Sequence, residues 1–467
     1  MSLAAPAFAG TYYIDNGDIT ITKKDDGSQE IKQNGTIIEN DDRGEIVITT
    51  YKKAITTLES DLEGPAAEDS SFGPVVEDNY QPAPPAQPED AEEPKDADQP
   101  EDDDQKKSTE ESEDDDQKNA EESENDEEQK DADRQENTDR KESDEEQPQP
   151  QQAAPADAAP AAPAPANGFC KNIITVINNA ATALKLTLKD VKIDVSDTGK
   201  NTGYPWTSDE GKAALSVQGN GNVEIELDGN NELKSGPHRA GLEKNTSTST
   251  GTLTLKDDNN EAGSLTATGG DWGAGIGNGG YYGNSDNRSG ENITITGGTV
   301  NATGGWGGAG IGGGYYGSGK NITIKGGTVT ATGGEEGAGI GGGYYYGGGY
   351  YGNGYYGNGE NIKITDGTVN ATGGWGGAGI GGGGGGGNGA GGNGKNITII
   401  GGTVTAGGGY RGAGIGGGIS GSGKNITITG GTVNADGGEE AAGIGGGATG
   451  SGSNVTVSGA AQVTAIA

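Results

Sequence analysis

The stretch that decides the fold runs from Asn292 to Lys320 and reads NITITGGTVNATGGWGGAGIGGGYYGSGK. It contains three short segments that alternate apolar side chains with polar residues or glycine, and glycines follow each segment. Because successive residues of a strand point to opposite faces, each segment has one apolar face. The side chains predicted to point inward are Ile293, Ile295, Val300, Ala302, Ala309 and Ile311. One unit cannot bury these side chains alone, so the sequence requires stacked copies.

The same unit recurs along the second half of the chain. Successive copies are 30, 40, 29, 40, 35, 29 and 29 residues apart, so the minimum unit is about 29 residues. They begin at Asn222, Thr252, Asn292, Asn321, Asn361, Asn396, Asn425 and Asn454. Three short strands per unit, joined by glycine corners, predict one rung of a three-faced solenoid. The predicted fold is all-β, a right-handed parallel β-helix, since parallel crossovers are right-handed in nearly all cases.

One ladder of side chains is predicted to mark the core of this solenoid. Its members share the second position of their units and are Ile293, Ile322, Ile362, Ile397 and Ile426. The composition agrees with a narrow interior, because glycine accounts for 95 of 467 residues while phenylalanine occurs three times and methionine once. An ordinary globular core of large apolar side chains cannot be built from this list.

Composition also excludes several functional classes. The single cysteine, Cys170, excludes an intrachain disulfide or a cysteine zinc site, and the single histidine, His238, excludes a histidine cluster. No apolar run approaches 18 residues, which predicts no transmembrane segment. The net charge of −39 argues against nucleic acid and anionic lipid as partners, since both are bound through Lys and Arg.

Most of that charge lies in one segment. Between Glu59 and Pro148 the chain has 37 acidic and 8 basic residues, a net charge of −29. Such a composition buries too little apolar surface to fold, so residues 59–168 are predicted to be a disordered acidic and Ala/Pro-rich insert. A calcium-buffering or partner-binding role for the insert is the alternative to a plain linker.

The remaining boundaries follow from the insert. Ala7-Phe8-Ala9 before Gly10 resembles a signal-peptidase site, which predicts that residues 1–10 are a remnant of a cleavage region. Residues 11–58 are predicted to form the first strands of the solenoid, and residues 169–467 the glycine-rich β-helix. A secreted chain with almost no cysteine suggests the exterior of a Gram-positive bacterium. The sequence does not fix the oligomeric state.

Two positions within the repeat vary from copy to copy, and stacking of the copies would turn each position into a column. Loops of different length leave the corner after the third segment, and the corner before that segment carries aromatic and acidic residues in near alternation. Aromatic rings with a polar edge suit sugar rings, although they can equally cover a neighbouring bare-glycine strand. The candidate carbohydrate-binding residues are Trp272, Trp306, Trp375, Tyr410, Tyr315 and Tyr316.

The acidic corners suggest a possible calcium site. The candidate ligands are Asp271, Glu335, Glu336, Glu439 and Glu440. Calcium takes six to eight oxygen ligands, whereas each corner supplies two carboxylates and matching corners are several rungs apart. Calcium binding is therefore predicted to be weak, and no other cofactor is expected.

Residues Glu226 to Asn245, ELDGNNELKSGPHRAGLEKN, followed by GSLTATGGDWGAGIG, carry a resemblance over about residues 170–467. The chain resembles the glycine-rich carbohydrate-binding-domain β-helix proteins of Gram-positive anaerobe cell surfaces. The resemblance implies a non-catalytic extracellular protein that binds polysaccharide, sometimes with calcium. The chain departs from the family in its acidic insert and in having no sorting signal after Ala467.

The leading functional hypothesis is therefore non-catalytic binding of a polysaccharide or glycan at a cell surface. The alternatives are a structural or adhesive protein without a discrete ligand, and an ice- or crystal-binding protein acting through outward threonine ladders such as Thr299, Asn301 and Thr303. A β-helical polysaccharide lyase is disfavoured, because that chemistry needs basic groups beside a carboxylate-held metal. The repeat region offers chiefly Arg239, Arg288 and Arg411.

Overall fold

The computed structural model describes residues 10–42, 44–50, 168–203, 208–259, 261–280, 289–347, 357–387 and 391–467. The predicted cleavage region before Gly10 and the predicted insert, apart from Gly168, lie outside these residues. All described residues belong to one compact unit. Their regular secondary structure is almost entirely β-strand, with one 3-10 turn at Ile14–Asn16, and they include no helix long and apolar enough to cross a membrane.

The strands form a parallel β-helix with three faces, here named sheets 1, 2 and 3 in the order that each rung visits them. Sheet 1 contains Gly10–Tyr13, Ile46–Thr49, Leu184–Lys189, the first half of Val223–Lys234, Leu253–Lys256, Gly290–Ile295, Gly319–Ile324, Gly359–Glu360, Lys363–Ile364, Gly394–Ile399, Gly423–Ile428 and Gly452–Val457. Sheet 2 contains Lys192–Asp194, the second half of Val223–Lys234, Gly263–Thr268, Thr299–Thr303, Thr328–Thr332, Thr368–Thr372, Thr403–Gly407, Thr432–Asp436 and Gln462–Ile466.

In the glycine-rich repeats, from Ile276 onward, the sheet 3 strands have only two residues each. Sheet 3 contains Ile19–Lys23, Gln29–Gln33, Thr36–Asp42, Ile174–Asn178, Leu215–Gly219, Leu242–Ser249, Ile276–Gly277, Ile311–Gly312, Ile340–Gly341, Ile380–Gly381, Ile415–Gly416 and Ile444–Gly445. Two inserted loops add a separate parallel pair, Tyr345–Gly347 with Gly385–Gly387. Sequence reasoning did not anticipate this pair.

The predicted isoleucine ladder is confirmed. Ile293 lies in register with Ile322, and Ile397 with Ile426; these four side chains and that of Ile362 are fully buried. Valine and alanine ladders line sheet 2 in the same way, as in the pairing of Val300 with Val329. Burying one such aliphatic side chain contributes about 1.5–3 kcal/mol, so the stack as a whole supplies what no single rung can.

The N-terminal end differs from the repeats. Gly10–Tyr13 pairs in parallel with Ile46–Thr49, which pairs in turn with Leu184–Lys189. Ile19–Lys23 pairs antiparallel with Gln29–Gln33, and that strand continues antiparallel into the next. The strands before and after residues 51–167 therefore belong to the same stack.

The backbone geometry of sheet 3 explains why glycine follows the isoleucine in the GIGGG runs. Gly312 has φ +134°, a conformation that L side chains rarely adopt, and a Cβ atom built on it would lie 2.1 Å from the carbonyl oxygen of Gly341. The same φ recurs at the matching glycine of each neighbouring rung. Rungs approach so closely here that only glycine fits.

The asparagine that opens each repeat lies on the exposed face of its strand, as period two predicts, but its backbone does not have the extended conformation of an ordinary strand residue. Asn292, Asn321 and Asn361 are in the left-handed region, at φ 58°, 54° and 57°. Their amides form a ladder in which each Nδ2 donates to the Oδ1 of the preceding rung at 2.9–3.1 Å, continuing to Asn454. Asparagine suits both demands, because it tolerates this backbone region and carries a donor and an acceptor.

The residues that carried the family resemblance also hold rungs together. Asn231 is fully buried; its Nδ2 donates to the carbonyls of Asp228 and Ser264, and its Oδ1 accepts from the backbone of Val191. Ser235 accepts from the Ala214 backbone N–H and donates to the Ala240 carbonyl. In this segment, the side chains of Asn231 and Ser235 thus satisfy the hydrogen bonds of buried backbone groups.

We expect Asn361→Gly to lower the free energy of unfolding by about 1 kcal/mol, because it removes two exposed ladder hydrogen bonds but keeps the backbone relaxed. Asn361→Ala should lose roughly 1 kcal/mol more, because alanine must also hold a left-handed conformation. Urea unfolding of both variants measures the difference. Equal stabilities would show that the left-handed conformation is not what selects asparagine.

Candidate functional site

The corner between sheets 2 and 3 brings the predicted aromatic and acidic residues into one stack, here named the corner column. Backbone hydrogen bonds join successive corners, as from Trp272 to the Trp306 carbonyl at 2.8 Å and from Gly307 to the Glu335 carbonyl at 2.9 Å. Each corner has two positions. The first is held by Asp271, Trp306, Glu335, Trp375, Tyr410 and Glu439, and the second by Trp272, Gly307, Glu336, Gly376, Arg411 and Glu440.

Trp272 occupies the second position of its corner, and its side chain there is only 1% exposed. Its ring stacks on His238 with centroids 4.6 Å apart, and it joins a buried cluster with Tyr315 and Tyr344. The rings of Trp272 and Tyr315 therefore offer no open face to a ligand, contrary to their selection from sequence. They act as structural cover, which was the alternative interpretation, while Tyr316 is half-buried against Tyr315.

Three aromatic rings at the first position are exposed. Trp306, Trp375 and Tyr410 keep 37%, 48% and 42% of their surface accessible. Trp375 and Tyr410 stand on consecutive rungs and stack with centroids 5.4 Å apart and an interplanar angle of 21°. Trp306 packs edge-on against Tyr344, with centroids 5.2 Å apart. The corner column thus presents a stacked pair and a third ring two rungs away.

The acidic candidates each contact a different neighbour. Glu335 accepts a 3.1 Å hydrogen bond from Trp306 Nε1, and Glu440 forms an ion pair with Arg411 at 3.5 Å. A hydrogen bond with Glu439 is the main cause that raises the pKa of Tyr410. Asp271 accepts a hydrogen bond from the Asn201 amide.

Glu336 is the one candidate whose carboxylate turns inward. Its backbone is left-handed at φ 72°, and its side chain lies where a Cβ on Gly376 or Gly384 would come within 2.5 or 2.2 Å of Oε2. That oxygen is buried and has no hydrogen-bond partner among the described residues. Burial, and then the charge of Glu335, raises the pKa of Glu336 to about 7.

The described residues contain no group of three or more His, Cys, Asp or Glu side chains arranged to hold a metal ion. The five predicted calcium ligands are distributed along the corner column rather than gathered at one point. Calcium binding by these carboxylates stays a prediction. Among the basic candidates, Arg239 pairs with Glu210 and Glu243, and Arg288 lies outside the described residues.

Lys244 is a buried charged residue that the sequence does not identify as such. Lys244 is fully buried, its Nζ donates to the Ser249 carbonyl at 3.1 Å, and burial lowers its pKa to about 8. In sequence it reads as an ordinary charged residue after Leu242-Glu243. Its register opposite Val217, an inward position, is what places it inside.

Sheet 2 presents a second ordered surface. Its five strands from Thr299–Thr303 to Thr432–Asp436 have fifteen outward positions, of which ten are threonine and three asparagine. Asp436 is the one charged residue among them. The outward side chains stack in register, as Thr299 does on Thr328.

Five segments of the chain match a family model described as Beta helix repeat, namely residues 293–315, 322–344, 362–384, 397–419 and 426–448. Each segment begins in the isoleucine ladder, crosses the corner column and ends beyond sheet 3. No curated protein and no solved structure matches the chain. The match agrees with the observed parallel β-helix built from repeated rungs.

We expect Glu336→Gln to change the pH dependence of stability. The folded protein keeps Glu336 protonated up to about pH 7, whereas the unfolded chain releases that proton near the ordinary value of 4.5. The wild type therefore loses stability as the pH rises from about 4.5 through 7, and the variant lacks this loss. The gain at pH 8 should be about 1 kcal/mol, since the residue is partly exposed.

Unfolding curves at pH 4, 6 and 8 measure this effect. Glu440→Gln, at the equivalent corner position but exposed, is the matched control and should not reproduce it. A constant difference between Glu336→Gln and wild type at all three values would contradict the expectation.

Proposed function

We propose that the protein is a non-catalytic glycan-binding protein of the cell exterior, and that it binds through the exposed rings of the corner column. The observation that carries the proposal is the stacked pair of Trp375 and Tyr410, which stays 48% and 42% exposed on a rigid scaffold. Exposed single aromatics are common, but a column of them on consecutive and alternate rungs is a patch.

The rings are held in place by polar neighbours at their edges. Glu335 accepts from the indole N–H of Trp306, and the Arg411 guanidinium lies 5.4 Å from the centroid of the Tyr410 ring. Fixed rings lose little conformational entropy when a sugar stacks on them. The same carboxylates remain available to accept hydrogen bonds from sugar hydroxyls.

The spacing favours an extended chain over a single sugar. Trp306 and Trp375 are two rungs apart, roughly 10 Å along the solenoid axis. This separation is close to two residues of an extended glycan, so one chain can stack on both rings. Support for an exterior location comes from the ligand class, together with the resemblance noted above.

We expect Trp375→Ala with Tyr410→Ala to weaken binding of a polysaccharide that retains the wild type by about tenfold for each ring removed. Stability should change little, because neither ring belongs to the Ile and Val ladders. Affinity electrophoresis over a panel of polysaccharides, followed by calorimetry on those that bind, measures the loss. Tyr13→Ala, which removes a 37% exposed ring far along the stack, is the control.

Failure of the wild type to bind any polysaccharide in the panel would contradict glycan binding and favour a structural or adhesive protein without a discrete ligand. Binding that survives the double substitution would move the site away from the corner column.

Sheet 2 supports a second candidate, attachment to an ordered surface such as ice. The specific observation is the nearly uncharged array of threonine and asparagine on a chain of net charge −39. If this face binds ice, the protein should show thermal hysteresis, and Asn370→Lys in the centre of the array should reduce it while leaving glycan retention intact. Absence of thermal hysteresis in the wild type would dismiss this candidate.

A further inference from the structure

We infer that the corner column selects cationic glycans, that is, polymers of sugars with free amines, over neutral or acidic ones. The inference rests on the proposed glycan-binding function and names its substrate class. It comes from the placement of unpaired carboxylates beside the exposed rings.

Charge in the repeat region is distributed unevenly. Between residues 289 and 467 the sequence has eight carboxylates, and half of them lie in the corner column. Away from the column, Glu291 and Glu360 are balanced by Lys320 and Lys395 on the adjacent rungs, at 3.4 and 3.2 Å. These carboxylates form part of an alternating ladder on sheet 1 and add no net field.

The corner carboxylates lack such partners. Among the described residues, Glu335, Glu336 and Glu439 form no ion pair, and Glu440 alone contacts a cation, Arg411. Asp271, one rung before Trp306, accepts from an uncharged amide. Leaving out the inward-turned Glu336, four carboxylates (Asp271, Glu335, Glu439 and Glu440) therefore face one guanidinium along a line of about six rungs, while the neighbouring sheet 2 face carries a single charge.

The carboxylates and rings are interleaved. Glu335 stands between Trp306 and Trp375, about 4.8 Å from each along the axis. Glu439 follows Tyr410 on the next rung and is the main cause that raises its pKa through a hydrogen bond. A ring face beside a carboxylate is the environment that an ammonium group favours, because the cation is attracted both to the π system and to the opposite charge.

The three classes of glycan are distinguished by these terms. A neutral glycan gains stacking and hydrogen bonds only, and an acidic glycan is repelled by the four charged carboxylates of the column. An amine-bearing glycan gains attraction to the π systems of the rings and to the charges of the carboxylates as it passes along successive rungs. Each exposed pair contributes little, so the selectivity depends on several amines meeting several carboxylates along one chain.

The test uses the full chain and three soluble hexasaccharides of the same linkage, made of glucosamine, N-acetylglucosamine and glucose. Calorimetry at pH 6 keeps the amines protonated, and tryptophan fluorescence reports on the rings. We expect the glucosamine hexamer to bind about tenfold tighter than the other two at low salt, with most of the difference lost at 0.5 M NaCl.

Glu335→Gln with Glu439→Gln should remove about tenfold of the affinity for the glucosamine hexamer and little of that for the acetylated one. Glutamine keeps an acceptor for Trp306 Nε1, so the rings stay in place. The matched control is Asp197→Asn with Asp366→Asn, which removes two exposed carboxylates elsewhere. The acidic segment 59–148 is common to all variants and cannot cause a difference between them.

The outcomes separate this inference from the proposed function. Equal affinity for all three hexamers, abolished by Trp375→Ala with Tyr410→Ala, would overturn the selectivity and leave glycan binding standing. Equal losses in the corner and control variants would assign the preference to net charge and overturn the inference. Binding of no hexamer and no polysaccharide would overturn the proposed function itself.

Discussion

The close approach of rungs along sheet 3 is the constraint on which the rest of the structure depends. Stacked strands lie about 4.8 Å apart, and at the matching glycines the backbones of adjacent rungs leave no space for a Cβ atom. This fixes glycine in the sheet 3 strand of each rung from Gly277 to Gly416, and the interior of these rungs is lined mainly by isoleucine, valine and alanine side chains. Larger side chains are therefore displaced to the corners. The composition, the short strands and the exposed aromatics are consequences of the same spacing.

The repeat alone predicted the fold class, the direction of the strands and the buried ladder through Ile293. These features follow from period-two patterning and fixed spacing, which are properties of the sequence itself. The asparagine ladder was missed because period two indicates which face a side chain occupies and cannot reveal a left-handed backbone within the strand. Lys244 was missed because the register that turns it inward depends on a neighbouring rung. The antiparallel strands near the N-terminus were missed because they depart from the repeat.

The sequence predicted that the site residues would stack in a column, but it did not show which of them would be exposed. Trp272 and Trp306 are one position apart in their corners, a difference that looks trivial in sequence. The second corner position is left-handed at Trp272, Glu336 and Glu440; the Trp272 ring is buried there, whereas Glu440 stays exposed. A ring at the first position stays outside, as at Trp306, where Gly307 takes the left-handed conformation instead. The burial of a ring thus depends on its place in the turn together with the side chains that surround it, since Trp272 packs on His238 while Trp306 stays exposed.

In the solenoid, residues that repeat along the sequence also repeat at regular distances along the surface. This regularity limits which partners the surface can recognise. A residue type repeated every rung becomes a line of identical groups about 4.8 Å apart. The isolated contacts along such a line are weak, because each is exposed to water and screened by salt. Useful affinity arises only when the partner repeats as well, so that many weak contacts form together. A polymer of regularly spaced sugars meets this condition, whereas a small molecule would contact one or two rungs. In the function proposed above, the alternation of rings with carboxylates determines which polymer gains favourable contacts along the column.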